Sequence, residues 1–311
     1  MLLPRHREHP RSGALTLALA VCLAAALAAD GHAQLASAVH VVSAGNRTCP
    51  ANQCTFLAGT SWFTDDGSLY HLATSNWRPP ALPYAAPIAR IYLWDVAAGD
   101  SFPALMGPSV EMPVGAAFNL LVAHGARGCL YGHGATADNI SGNVTFIDAP
   151  ALDGHPDAFL LVTEAAPTGD PTNVGVYYDG SRLQWGIFNE DGTTMTVGRY
   201  FTVYDDSCAI GLGARYVITC SAPQGGDCGE GTVIGYRDSA ARLLVTQRWT
   251  GVYNPHPVGV YYNSFLQYWQ VFNLDGADMP INARFDVALI SVLLVDNFET
   301  GNTSAWSAES P

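Results

Sequence analysis

Two stretches of 30 residues decide the fold, VGVYYDGSRLQWGIFNEDGTTMTVGRYFTV at Val174–Val203 and VGVYYNSFLQYWQVFNLDGADMPINARFDV at Val258–Val287. They align without a gap at an offset of 84, and 13 of the 30 positions are identical. Upstream, Leu160–Thr163 matches Leu243–Thr246 at an offset of 83. Self-similarity at a nearly fixed spacing indicates a chain built from repeats.

A third, more divergent copy precedes these two. Met112–Leu120 parallels Met195–Val203, and Ala73-Thr74 parallels Val162-Thr163. We therefore predict three units of about 85 residues and a C-terminal tail, at 38–124, 125–206, 207–295 and 296–311.

The local signals within the middle unit are those of strands. Short aromatic or β-branched runs, each bounded by Gly, Pro, Asn or Asp, lie at 144–147, 159–162, 174–178, 183–188 and 200–204. Asp179–Arg182 reads as a hairpin loop and Asn189–Gly192 as an Asx turn. We predict an all-β chain of three tandem antiparallel β-sandwich or barrel repeats. The alternative is one pseudo-threefold β body, because small repeats often cannot close a core alone.

Composition limits the classes of function. Hydrophobic residues make up 49% of the 311-residue chain and charged residues only 13%, so packed cores are expected. All 14 basic residues are arginine, and the formal net charge is -13. This balance argues against a nucleic-acid partner, whose phosphates require a basic surface.

The first 33 residues are typical of a signal peptide. Arg5, Arg7 and Arg11 precede an apolar run at Ala14–Ala29, and small residues up to Ala33 offer cleavage sites. No later run approaches the roughly 18 apolar residues that span a bilayer. We predict a secreted, extracellular or cell-surface protein with no membrane span after cleavage.

Six cysteines remain after cleavage at Ala33, namely Cys49, Cys54, Cys129, Cys208, Cys220 and Cys228. An even number in an oxidising compartment favours disulfides. We predict that Cys49 bonds Cys54 and that Cys220 bonds Cys228, each pair within its own loop. Cys129 and Cys208 open the second and third copies, and they either bond to each other or stay as buried thiols. No CxxC or HxxxH spacing is present, so a metal centre is not predicted.

Catalytic motifs are missing from the sequence. There is no GxSxG, HExxH, Walker A or GxGxxG string. The histidines do not recur between copies, since His256 aligns with Thr172. We predict no catalytic residues, and the alternative is an extracellular hydrolase acting on a polysaccharide or an ester.

The residues that do recur permit two interpretations. They are four aromatic and four turn residues, namely Tyr178, Trp185, Asn189, Asp191, Tyr262, Trp269, Asn273 and Asp275. The first interpretation is core packing and turn chemistry. The second is a glycan-binding site, in which aromatic faces stack on a sugar and Asn and Asp accept hydroxyl hydrogen bonds. No cofactor is predicted, although calcium at Asp65-Asp66 or Asp205-Asp206 is an alternative.

The string W-x-[IV]-F-N-x-D-G-x-x-M, preceded by VGVYY and followed by F-x-V, resembles a repeated domain of unknown function from exported bacterial proteins. The resemblance covers residues 38–295, and the first copy departs from it at Leu93-Trp94-Asp95. The tail at Asp296–Ser307 is similar to a D-x-F-E-x-G-x-x-x-x-W-S segment of such proteins. The resemblance implies export and repetition but no activity. We expect a structural or binding protein whose partner is a glycan or another cell-surface component.

Overall fold

The structure is a computed structural model, and it describes residues 35–43, 54–56, 69–77, 90–96, 100–106, 114–124, 128–165, 172–207, 212–221, 223–224, 227–228 and 236–290. All of them belong to one compact unit, Leu35–Pro311. The predicted signal peptide and the C-terminal tail lie outside the described residues.

Twenty strands follow one another along the described chain, and these residues contain no helix. The first segment of the chain contains β1 (Leu35–Val41), β2 (Cys54–Phe56), β3 (Leu69–Trp77), β4 (Arg90–Val96), β5 (Asp100–Met106) and β6 (Ala117–His124). The second contains β7 (Leu130–Gly134), β8 (Ile140–Ser141), β9 (Val144–Phe146), β10 (Leu160–Glu164), β11 (Val174–Asp179), β12 (Gln184–Asn189) and β13 (Tyr200–Asp205). The third contains β14 (Leu212–Thr219), β15 (Pro223–Gln224), β16 (Asp227–Cys228), β17 (Leu243–Arg248), β18 (Val258–Asn263), β19 (Tyr268–Asn273) and β20 (Arg284–Ile290). The predicted all-β class is confirmed.

Each segment pairs its strands in the same way. Three strands form one antiparallel group, in the order β1-β6-β3, β7-β13-β10 or β14-β20-β17. A hairpin with a short flanking strand forms the other group, in the order β4-β5-β2, β11-β12-β9 or β18-β19-β16. The hairpin register is conserved at the offset of 84, since Val174 pairs with Asn189 and Val258 with Asn273.

The sheets cross the boundaries between segments. The hairpin of the second segment joins the third, because β11 pairs in parallel with β17. The hairpin of the third segment joins the first, because β18 pairs in parallel with β3. Both resulting sheets have seven strands and contain strands of two segments. The second and third segments therefore share one sheet, and the third and first share another, so these two sheets are not divided segment by segment.

Three threonines link the segments at their centre, where β3, β10 and β17 contact one another. Each Oγ1 accepts a hydrogen bond from a backbone N–H of another segment, Ala73 to Thr163 at 3.0 Å, Val162 to Thr246 at 2.8 Å and Val245 to Thr74 at 2.9 Å. Each donor is the residue before the next threonine, so the three bonds close a ring. This ring satisfies backbone groups that no neighbouring strand can reach.

The ring gives a prediction about stability. Replacing the buried Thr246 by the isosteric valine leaves the N–H of Val162 without an acceptor. We expect the free energy of unfolding to fall by about 1–3 kcal/mol, the usual cost of an unsatisfied buried donor. Thr246→Ser keeps the hydroxyl and is the control. Equal denaturant midpoints for Thr246→Val and the parent would contradict the role of the ring.

Three large clusters make up most of the apolar core of the described residues. One surrounds Trp185 in the second segment, and another surrounds Trp269 in the third. The part between them draws on all three segments, through Leu72, Leu130 and Leu244 among others. Burial of apolar residues from every segment in one cluster explains why the described chain is a single unit.

Candidate functional site

A cavity of about 100 Å³, lined by both polar and apolar residues, lies beside the threonine ring. Its walls include Ala73–Ser75 of β3, Val162–Glu164 of β10 and Val245–Gln247 of β17. The remaining wall residues are Thr172, Asn173, Val174, Glu190, His256, Pro257 and Val258. We call it the central cavity. A water needs about 10–15 Å³ of such space, so the central cavity has room for several waters or a small organic group.

Glu190 is the least expected wall residue, because its carboxyl group is buried with only 1% of the residue exposed. Its Oε2 accepts hydrogen bonds from Gln247 Nε2 and from the backbone N–H of Asn254, both at 3.0 Å. Its Oε1 has no hydrogen-bond partner among the residues that the structure describes. Burial raises the pKa of Glu190 to about 8, and the bond from Asn254 offsets this only in part.

This raised pKa predicts a pH dependence of stability. The folded protein keeps a proton on Glu190 that the unfolded chain has lost, so the free energy of unfolding falls as pH rises from about 4.5 to about 8. The slope is at most about 1.4 kcal/mol per pH unit. Glu190→Gln should lose this contribution, so its melting temperature should exceed that of the parent at pH 8 and approach it at pH 4. A constant difference in melting temperature between Glu190→Gln and the parent from pH 4 to pH 8 would contradict the prediction.

A glycine in the neighbouring strand makes room for Glu190. A Cβ at Gly175 would collide with Glu190 Oε1 and with the ring of Phe188. The third copy repeats the arrangement, since a Cβ at Gly259 would lie 2.6 Å from Leu274 Cδ2. Glycine is therefore required in VGVYY because the side chain that follows the Asn of N-x-D-G occupies the space where a Cβ would lie. That residue is a carboxylic acid in one copy and leucine in the other.

The second carboxylate of the central cavity is paired. Arg199, which is fully buried, donates from Nε and Nη2 to the two oxygens of Glu164, both at 2.9 Å. It also donates from Nη1 to Asn189 Oδ1 at 2.5 Å and from Nη2 to the carbonyl of Thr172 at 3.1 Å. This fork geometry satisfies the guanidinium and fixes Glu164 in place.

The third segment builds the same site without charge. Gln247 stands in the place of Glu164, and Ala283 in the place of Arg199. The amide of Asn254 replaces the guanidinium, since its Nδ2 donates to Asn273 Oδ1 at 2.9 Å and to Gln247 Oε1 at 3.2 Å. The two copies therefore hold one buried ionic network and one neutral network in equivalent positions.

A histidine–aspartate pair lies at the central cavity. His256 Nδ1 and Asp275 Oδ2 are 2.6 Å apart, and both side chains are about one-third exposed. In the second copy, Thr172 Oγ1 donates to Asp191 Oδ2 at 3.4 Å. Both copies therefore have an aspartate in this turn, and its partner is histidine in the third copy and threonine in the second.

The tryptophans predicted as a sugar platform lie in the core. Trp185 and Trp269 are each 1% exposed, and their Nε1 groups donate to the carbonyls of His155 and Asp238 at 2.9 Å. The predicted tyrosines, Tyr178 and Tyr262, contact these rings edge to face at 5.5 and 5.7 Å. In this arrangement the tryptophan faces are covered by protein and offer no surface for stacking on a sugar.

The polar residues of the same prediction shape the turns. Asn189 and Asn273 are buried, and their Nδ2 groups donate to backbone carbonyls of the following turn, among them Thr193 and Ala277. Asp191 Oδ1 accepts from the N–H of Thr193 at 2.9 Å, as Asp275 Oδ1 does from Ala277 at 3.1 Å. This is the geometry of Asx turns. None of the eight predicted residues lines the central cavity, and Asp275 approaches it only through its contact with the wall residue His256.

Of the two aspartate pairs considered for calcium, one falls outside the described residues and the other has protein partners. Asp65-Asp66 falls outside the described residues. Asp206 Oδ2 lies 3.0 Å from Arg215 Nη1, and Asp205 Oδ1 accepts from the N–H of Ser207 at 2.9 Å. Across the part of the chain that the structure describes, no group of three or more His, Cys, Asp or Glu residues is arranged to hold a metal ion.

The disulfides stay predictions. Cys49 and Cys208 lie outside the described residues, and the side chains of Cys54 and Cys228 are not described. Cys220 and Cys129 are buried. The backbone N–H of Cys220 donates to the carbonyl of Ala283, and its carbonyl accepts from the N–H of Asn282. Ala135 makes the equivalent backbone hydrogen bonds in the second copy.

Sequence reasoning missed Glu190, Glu164 and Arg199 because it looked for residues that recur. The useful signal was the opposite one. Each residue occupies a position where the other copy has an uncharged residue, namely Leu274, Gln247 and Ala283. A charge that replaces a neutral residue inside an otherwise repeated framework marks a place where the copies have diverged in chemistry.

Comparisons with known proteins identify a family and little else. Residues 107–205 and 234–289 match the family described as Domain of unknown function (DUF7452). No match was found among curated proteins or among solved structures. Within the described residues, no helix is long and apolar enough to cross a membrane. Over residues 107–205 and 234–289, the chain is therefore similar to this domain of unknown function.

Proposed function

We propose that this chain is an exported, non-catalytic binding protein that takes up a small polar group in the central cavity. Export is supported by the pattern of the first 33 residues. Binding is supported by one observation above all, a buried carboxyl oxygen on Glu190 that no described residue satisfies.

The physical reason is the free energy that it costs to bury that oxygen without a hydrogen bond. Buried polar atoms are almost always hydrogen-bonded, since an unsatisfied one costs about 1–3 kcal/mol. The third copy avoids this cost with Leu274, so the fold itself does not require a carboxyl group there. A ligand with a hydrogen-bond donor would satisfy Glu190. The proposed source of the donor is an extracellular glycan or another cell-surface component.

Hydrolysis of an ester or a polysaccharide is the second candidate, and the His256–Asp275 pair at the central cavity favours it. A nucleophile is the missing element. No hydroxyl or thiol of the described residues is hydrogen-bonded to His256, whose hydrogen-bond partner is the carboxylate of Asp275. The other wall carboxylate, Glu164, is held at both oxygens by Arg199. Binding therefore accounts for more of the observed geometry than catalysis does.

The two functions are separated by one experiment on the mature chain. Methylammonium, methanol and formamide are titrated at matched concentrations while the backbone amide resonances of Ala73, Val162 and Val245 are followed by NMR. We expect at least one probe to shift them, and Ala73→Leu, which fills part of the cavity, to abolish the shift. Unchanged resonances with all three probes would overturn the binding proposal. In parallel, hydrolysis of a nitrophenyl ester that is lost in His256→Ala would establish the hydrolase instead.

A further inference from the structure

The two carboxylates of the central cavity differ in their counter-ions. Glu164 has the guanidinium of Arg199 at both oxygens. Glu190 has only neutral donors among the described residues, the side-chain amide of Gln247 and the backbone N–H of Asn254. Glu190 is thus a buried acid whose Oε2 accepts two hydrogen bonds and whose buried Oε1 has neither a hydrogen-bond donor nor a cation as partner among the described residues.

A neutral donor would satisfy Glu190 less well than a charged one. An isolated buried carboxylate is strongly destabilised, and the usual remedies are protonation or a paired cation. The second segment shows the paired solution at Glu164, where hydrogen bonds to a charged donor are short and strong. The same solution at Glu190 requires a cation from outside the described residues.

Resting on the proposed binding function, we propose that the central cavity binds a protonated primary amine with Glu190 as its counter-ion. An ammonium group brings one positive charge and three N–H donors in a compact volume. The carboxylate of Glu190 would accept one donor, and Thr163 and Thr246, which also line the cavity, offer hydroxyl oxygens for the others. The cavity volume of about 100 Å³ suits an ammonium group on a short carbon stem.

Other cations fit the walls less well. A divalent ion such as Ca²⁺ needs six to eight oxygen ligands and several carboxylates. Among the described residues, no cluster of three potential metal ligands exists, and one of the two wall carboxylates is already neutralised by Arg199. A single uncompensated carboxyl group matches a single positive charge.

Amine binding is expected to release a proton. Burial raises the pKa of Glu190 to about 8, so the empty cavity holds a protonated acid at pH 7. The ammonium ion pairs with the carboxylate, and the displaced proton passes to the buffer. Apparent affinity should therefore rise about tenfold per pH unit below pH 8 and level off above it. The other ionisable groups around the cavity are Glu164 with Arg199 and His256 with Asp275.

The test follows the side-chain amide of Gln247, which donates to Glu190, during titration with methylammonium chloride. We expect saturable shifts with methylammonium and none with potassium chloride or methanol. Potassium has the positive charge without N–H donors, and methanol has a similar size without the charge. Glu190→Gln keeps the shape of the side chain and should abolish the saturable shift. Calorimetry in two buffers of different ionisation enthalpy should show proton release in the parent chain at pH 7.

Further arms identify the source of the amine. Glucosamine carries the amine on a sugar, and N-acetylglucosamine is its matched control without the charge. Binding of glucosamine alone supports an amino-sugar source, whereas binding of methylammonium without glucosamine supports a small free amine. Equal shifts from methanol, potassium or N-acetylglucosamine, or full binding by Glu190→Gln, would overturn the amine proposal while leaving the binding function intact. The absence of a shift with every probe would overturn both the amine proposal and the proposed binding function.

Discussion

Replacing Arg199 by alanine should lower the free energy of unfolding by about 3–5 kcal/mol, the usual effect of breaking a buried ion pair from one side. Arg199 is fully buried and supplies both donors to Glu164. Its loss leaves a carboxylate at the central cavity without a counter-ion and Asn189 Oδ1 without its guanidinium donor. Urea or guanidinium denaturation of the purified variant measures the loss.

Two variants control this prediction. Arg182→Ala removes an exposed arginine, whose Nε lies 3.7 Å from Oδ2 of the partly buried Asp179, and should change stability by less than about 1 kcal/mol. Glu164→Gln combined with Arg199→Ala gives the site the uncharged residues that Gln247 and Ala283 provide in the third copy. The double variant should be more stable than Arg199→Ala alone. A double variant that is less stable would show that the guanidinium acts through packing and not through the charge of Glu164.

The strands of the second segment could be predicted closely from sequence. The predicted run at 174–178 is observed as Val174–Asp179, and the run at 200–204 as Tyr200–Asp205. Strand bounds depend on local residues, on β-branched and aromatic runs and on the turns between them. The predicted loop at 179–182 is a tight turn in which Asp179 Oδ1 accepts the N–H of Ser181 at 2.8 Å.

The partners of the hairpins could not be predicted in the same way. Gly175 pairs with Gln247 and Gly259 with Ser75, so the hairpins of the second and third segments each pair with a strand of another segment. Nothing in a strand's own residues specifies a parallel neighbour many residues away, because that choice is made by burial of the whole body. The proposal of a single body rested on the size of the repeats, and the pairing across segments provides its geometry.

The candidate site was hidden from sequence reasoning for a related reason. Glu190 follows an Asn in a turn motif, where a charged residue is ordinarily exposed to solvent. It is buried because the hairpin packs against β17 of the next segment and brings Gln247 to its carboxyl group. Burial of this residue is thus a property of the junction between segments. The alignment of the two copies shows Glu190 opposite Leu274, and this difference was the one available sign.

Replacing Trp269 by alanine is the second change with a large expected effect, a loss of about 3–5 kcal/mol as for other large aromatic truncations in packed cores. Trp269 is 1% exposed, packs within the core of the third segment and donates to the carbonyl of Asp238. The variant loses apolar contacts and leaves that carbonyl without its indole donor. Trp185→Ala should behave alike, because it donates to His155 in the equivalent place.

An exposed aromatic on the adjoining hairpin provides the control for Trp269→Ala. Phe265 is 91% exposed at the tip between β18 and β19, so Phe265→Ser should leave the melting temperature nearly unchanged. The comparison also separates the two interpretations of the recurring aromatics. A core tryptophan lowers the melting temperature when it is removed, whereas a sugar platform would leave it unchanged and lose glycan binding on an array. A melting temperature for Trp269→Ala within about one degree of the parent, where a loss of 1 kcal/mol alone should cost several degrees, would restore the platform interpretation.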